Sequence, residues 1–230
     1  MTAFVLLLIL GFIGYCASGK SRRLFSLWRI PRPRTRAEVS GDAGESVVDA
    51  ELRRVLTWLC GEDFYLHPGP VVLHHAPGTA FPTAEIDHLA VTPFGLFVFE
   101  TKNWVGHIEP GPDADSLLRI APGGARESRR SPLRQNRSKV AFLRGVMPGM
   151  WPVEGFGVFA SEQCSLSAAL PPTLIHRRDI AYAMRIHMHR YEAKGLKRVN
   201  VSAAWHAVLA VADIDPATIE AHRSRVRSKR

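Results

Sequence analysis

The chain has 230 residues, 46% of them apolar and 22% charged, which is ordinary for a globular protein with one sizeable core. Its charge is less ordinary: 30 Lys and Arg against 21 Asp and Glu leave a net +9, which points to nucleic acid or an anionic membrane surface as partner. Cys16, Cys60 and Cys164 stand far apart with no CxxC pair, which excludes a disulfide framework or zinc knuckle and suits a reducing compartment.

Residues 2–19 carry no charge, and Lys20, Arg22, Arg23, Arg29, Arg32, Arg34 and Arg36 follow at once. With Lys20 snorkelling to the interface, this run reaches the ~20 residues that span a bilayer. We expect one transmembrane helix over 1–19, and the basic flank sets the rest of the chain on the cytoplasmic side. A secretory signal is the competing reading, but the run lacks the basic stretch such a leader carries ahead of its apolar core. Residues 20–40, with Pro31, Pro33 and alternating arginines, read as an extended linker. Gly41, Asp42, Ala43 and Gly44 then lead into a helix over 45–60, whose stripe is Val47, Val48, Leu52, Val55, Leu56 and Leu59. Glu45 falls in its expected first turn, where a carboxylate suits the helix dipole.

Tyr65-Leu66 and residues 70–73 suggest a strand entering the segment that follows a loop over 74–82. The segment 85–104, EIDHLAVTPFGLFVFETKNW, reads as a β-hairpin turning at Thr92-Pro93-Phe94-Gly95. A two-residue loop of Pro93 and Phe94 sets Asp87 opposite Glu100 and Glu85 opposite Lys102; a bulge at Gly95 sets Asp87 opposite Thr101 instead. Carboxylates directly opposite each other destabilise a sheet, and burying them without partners costs several kcal/mol. A divalent cation would relieve both penalties. A surface reading stands beside this one, with Glu100 and Lys102 as a solvated pair at a strand end.

Further on, 106–115 is turn-rich, 117–120 suits a strand and 121–131 a flexible basic loop. Pro132 opens a helix to about residue 146 that carries Arg134, Gln135, Arg137 and Lys139. Strands at 155–160 and 173–176 precede a helix over 180–194 closed by Gly195. Residues 199–212 suit strand or helix, and Asp215-Pro216 start a last helix ending in Arg223, Arg225, Arg227, Lys229 and Arg230. This order implies an α/β sandwich with a mixed sheet flanked by helices. His74-His75 and the pair His187 and His189 read as surface or partly buried residues, since positions two apart on a helix do not share a face.

Several of these residues together resemble the nuclease-related domain family, within the restriction-endonuclease-like PD-(D/E)xK fold. The likeness rests on Gly44-Glu45, on Glu85-Ile86-Asp87-His88, on residues 95–104 with Gly106, on residues 132–136 and on Val158-Phe159. It runs from about residue 44 to 190, so the chain divides into the anchor, the linker, a nuclease-related domain over 41–195 and a C-terminal extension over 196–230. Ile86 precedes Asp87 where the broader superfamily places Pro. The resemblance implies Mg²⁺ or Mn²⁺ held by Asp87, Glu100 and the Thr101 carbonyl, and phosphodiester hydrolysis of DNA or another nucleic acid. It casts Lys102 as the group beside the attacking water, Glu45 as a further carboxylate and Gln135 as an orienting amide. Arg129, Arg130, Arg134, Arg137 and Lys139 would then bind backbone phosphates, or else form a solvated face. The alternative is a membrane-tethered module that keeps the fold and binds nucleic acid or protein without catalysis.

Overall fold

An apolar stripe at helical spacing makes the first helix, α1 (Arg36–Cys60), and sends Val48, Leu52, Val55 and Leu56 fully into the core. The computed structural model describes residues 35–229; the anchor expected over 1–19 and the linker through residue 34 lie outside the described residues. Among the described residues no helix is long and apolar enough to cross a membrane.

α1 begins earlier than expected, so 36–40 are helical and Gly41 to Gly44 lie inside the helix. The reason is tertiary. A Cβ on Gly44 would sit 2.7 Å from the Cβ of Asn103, and Asn103 Nδ2 donates to the Ser40 carbonyl at 2.8 Å. Gly44 therefore permits a close approach rather than ending the helix. Glu45 accordingly lies well inside α1, away from the N-terminal end of the helix dipole.

After α1 the strands come in quick succession: β1 (Tyr65–Leu66), β2 (Val71–Leu73), β3 (Ala84–Ile86), β4 (His88–Thr92) and β5 (Gly95–Lys102). Next are β6 (Gly106–Pro110), β7 (Ser116–Ile120) and β8 (Arg126–Arg130), then helix α2 (Pro132–Val146). Strands β9 (Val153–Phe159), β10 (Cys164–Leu166) and β11 (Leu174–His176) lead to helices α3 (Ile180–Ala193) and α4 (Val201–Leu209). Strand β12 (Ala212–Asp213) and helix α5 (Pro216–Ser228) complete the described chain.

The strands form three sheets rather than one. The central sheet has the order β1-β4-β5-β9-β11, antiparallel on the β4 side of β5 and parallel on the β9 side. A second sheet, β10-β6-β7-β8, turns the expected loops at 106–115 and 121–131 partly into strands. β8 is its open edge, and an arginine-rich edge resists pairing with another chain. The third sheet is β12-β2-β3.

The segment beyond residue 195 is no appendage. Val199, Ala204, Trp205, Val208 and Ala212 join the main core, and β12 pairs with β2. His187 packs edge-on against Phe97 and Phe156, with ring centroids at 5.6 and 5.3 Å, so it serves the core. On β9, Gly155 and Gly157 face α2. A Cβ at Gly157 would meet Pro132 at 2.6 Å, and one at Gly155 would meet Val140 at 2.8 Å. Their bareness lets α2 lie close over β5 and β9, where Asn136 Nδ2 donates to the carbonyls of Val98 and Phe156.

Candidate active site

The hairpin register decides which charges meet. Thr92 pairs with Gly95 and His88 with Phe99, so Pro93 and Phe94 are the two loop residues. Extending that register sets Asp87 opposite Glu100. The ladder, however, breaks at Asp87, the one residue between β3 and β4. Asp87 instead accepts a hydrogen bond at its Oδ2 from the Thr101 N–H, at 2.7 Å. Burial and the nearby Glu100 carboxylate push its pKa up to about 6, against the pull of Lys139 and Lys102.

Glu100 points to the α2 face of β5 and is almost wholly buried. Lys102 donates to its Oε1 and Lys139 to its Oε2, both at 2.6 Å. Burial alone would raise the Glu100 pKa, but the two ammonium groups outweigh it and hold the carboxyl below its ordinary range. Lys102 shares this face because strand side chains alternate. The sequence places Lys139 on a phosphate-binding surface; it is instead 6% exposed and bound inside the site. Its sequence position carries the signal. Pro132, Asn136, Lys139, Val140 and Leu143 form the buried stripe of α2, so Lys139 occupies a core position of an amphipathic helix.

Glu45 looks onto the same centre from α1. Burial first, then Asp87 and Glu85, push its pKa up to about 7. Gln135 has a buried Oε1 with no hydrogen-bond partner among the described residues, one turn before Lys139 on α2. On the other face of β5, Thr101 Oγ1 and His88 Nε2 share a hydrogen bond of 3.2 Å, and burial lowers the His88 pKa to about 4, so the ring is neutral.

Glu85 does not meet Lys102. The break at Asp87 puts it on β3, in the third sheet, opposite Val72. There Arg223 of α5 grips it through Nε and Nη2, with N···O distances of 2.6 to 3.1 Å. No local pattern hints at this pair, whose members are 138 positions apart.

The remaining basic residues lie elsewhere. Arg134 and Arg137 both bind Asp115, Arg134 at 2.6 Å, and Arg129 binds Glu127. Arg129, Arg134 and Arg137 are substantially exposed, and Arg130 has no side-chain partner among the described residues. Among the described residues, no three His, Cys, Asp or Glu side chains form a group that could hold a metal ion by themselves. A family model described as a nuclease-related domain matches residues 40–160. No curated protein and no solved structure matches the chain.

Proposed function

The chain belongs to the nuclease-related domain family, and on that premise we propose that it is a membrane-tethered, divalent-metal-dependent nuclease hydrolysing phosphodiester bonds of DNA. The observation that carries this reading is the meeting of Asp87, Glu100, Lys102 and Lys139 at the end of β5. A mixed central sheet flanked by helices, with this cluster at one strand end, supports the restriction-endonuclease-like fold. The uncharged run 2–19 and the basic residues behind it support a single-pass anchor with the domain in the cytoplasm.

The donor set fits Mg²⁺ or Mn²⁺. Asp87 and Glu100 offer hard oxygens, and Asp87 Oδ1 has no donor among the described residues. An extended residue sends its N–H and C=O to the same edge, so the Thr101 carbonyl leaves β5 on the Asp87 side. Two ammonium groups now bring two positive charges to Glu100, and a divalent cation supplies the same charge. Such an ion, held by Asp87, Glu100 and the Thr101 carbonyl, would polarise the scissile phosphate and lower the pKa of bound water.

The chain's own residues supply the rest. Lys102 is partly exposed beside Glu100 and would orient the attacking water and offset charge gathering on the phosphate oxygens. Lys139 stays on Glu100 and keeps its carboxylate ionised. Glu45, tuned to about 7, suits exchange of a proton with that water near neutral pH. Arg129, Arg130, Arg134 and Arg137 lie on exposed surface, where backbone phosphates would displace the carboxylate partners of Arg129, Arg134 and Arg137 and draw the strand in without reading sequence.

The full chain in detergent should cut DNA with Mg²⁺ or Mn²⁺ and stop in EDTA, and Glu100→Ala should not cut. Equal cleavage by wild type and by Glu100→Ala with Lys102→Ala would remove this assignment. One observation favours a non-catalytic module that retains the fold: both oxygens of Glu100 are already taken by lysines. Salt-sensitive binding of DNA, indifferent to divalent ions and with no cleavage, would decide for it.

A further inference from the structure

Helix α5 lies outside the stretch that matches the family, yet its long-range polar contacts, with those of Lys229 just beyond it, converge on residues 80–85, which lead into β3. Arg223 grips Glu85 with bonds of 2.6 to 3.1 Å. Thr83 Oγ1 meets His222 Nδ1 at 2.8 Å and accepts from Arg225 at 3.1 Å. Lys229 donates to the Ala80 carbonyl at 2.5 Å and lies over the Phe81 ring. Residues 80–85 are the approach to Asp87. β3 is the open edge of its sheet, so one of its flanks has no strand partner, and α5 packs against it. Ile86, fully buried between Glu85 and Asp87, leaves little slack in the link.

We propose that Arg223 is a positioning residue of the active site: by holding Glu85 it fixes the chain that delivers Asp87 and keeps a further carboxylate out of the acidic centre. Asp87 has only one hydrogen bond to locate it among the described residues, from the Thr101 N–H, so its place depends on the backbone before it. Without the guanidinium, Glu85 is a charge without a partner near Glu45, which itself faces Asp87, and like charges there push the segment outward. The electrostatics agree, since Glu45 feels Glu85 as repulsive and Arg223 as attractive. The effect on turnover rests on the nuclease reading; the placement of Asp87 does not.

Two readouts on the full chain separate these. The first is amide hydrogen exchange at Thr101, whose N–H reports the Asp87 bond, with the Val98 amide of the same strand as reference. The second is steady-state cleavage. Arg223→Gln should speed Thr101 exchange and lower kcat, each by roughly tenfold as expected for contacting residues, with Val98 exchange and KM little changed. Glu85→Gln with Arg223→Gln removes the repulsion though not the loss of the tether, so both readouts should recover part of the way toward wild type. The proposal falls if Thr101 exchange is unchanged, or if Val98 accelerates equally, because α5 is then only a brace. It falls too if KM rises while kcat holds, because Arg223 then binds a substrate phosphate, or if the double variant is as impaired as the single. A wild type that cuts no nucleic acid, with Thr101 exchange still accelerated in Arg223→Gln, keeps the positioning and removes the nuclease reading.

Discussion

Two groups of charged residues lie on either side of α2, and they hold their ions in opposite ways. At the end of β5, Glu100 is locked between Lys102 and Lys139 and nearly excluded from water. On the outer side, Asp115 holds Arg134 and Arg137 in the open, and Glu127 holds Arg129. Buried pairs cannot lose one partner cheaply, because the survivor keeps an uncompensated charge in a low dielectric. Exposed pairs exchange partners at little cost, because water and salt already screen them. The first arrangement suits groups that must stay in place during a reaction, and the second suits groups that must release a carboxylate to take a phosphate.

The largest effects should fall on the buried centre. Glu100→Ala strands two ammonium groups and should cost about 3–5 kcal/mol in denaturant unfolding, besides abolishing cleavage. The lysines should then divide the two losses. Lys139 is the more buried, so Lys139→Met should lower stability by about 2 kcal/mol, since Glu100 keeps Lys102. Lys102→Ala should lower stability by about 1 kcal/mol, less than Lys139→Met because Lys102 is the more exposed of the two, while cleavage falls about 100-fold. If Lys102→Ala destabilises as much as Lys139→Met and cuts normally, both lysines are structural and the contrast with the arginine face loses its functional meaning.

A pH series sharpens the same contrast. The Glu45 carboxyl is raised from 4.5 to about 7 and that of Asp87 from 3.8 to about 6. A raised carboxyl binds its proton more tightly in the folded chain than in the unfolded one. Its contribution to stability is therefore complete below the unfolded pKa and is lost as pH rises through the folded one. In EDTA, stability should decline from about pH 4.5 to about pH 7. Glu45→Gln should match wild type at the acid end and exceed it by about 1–2 kcal/mol above pH 7, allowing for solvent screening of its exposed part. Thermal unfolding at both ends of the window checks this, and equal melting temperatures at pH 8 would show that Glu45 carries no burden from burial or from Asp87.

Much of this contrast is legible in the residues alone. Pro93 and Gly95 leave two registers open for the β4–β5 hairpin, of which the two-residue loop is the one formed, but the turn itself follows from them, because turn chemistry is local. So do the end of α3 near Gly195, whose φ is +63°, and the Asp215 cap of α5. Non-local facts escape. Gly41 and Gly44 read as a helix boundary because propensity is weighed residue by residue, whereas Asn103 sets the use of Gly44. The arginines of β8 read as a loop because an edge strand needs no apolar alternation. Lys139 reads as surface because lysine usually is, although its place in the buried stripe of α2 says otherwise. The pairing of Glu85 with Arg223 arises only when β3 and α5 come together, and no local pattern encodes it.

The smallest expected effect tests the exposed side. Arg134→Ala with Arg137→Ala should alter stability by less than about 0.5 kcal/mol, since both guanidiniums are solvated. DNA affinity should fall for every sequence alike, and the slope of log K against log salt should shrink by about 2, near 0.9 for each phosphate that is no longer neutralised. Asp115 holds both arginines and would compete with phosphate for them, so Asp115→Asn should move affinity the other way, about threefold tighter at low salt, with a steeper slope. Fluorescence anisotropy across a salt series measures both. If Asp115→Asn weakens binding instead, Asp115 is preordering the two guanidiniums for phosphate, and the outer pairs would then be as fixed in purpose as those around Glu100.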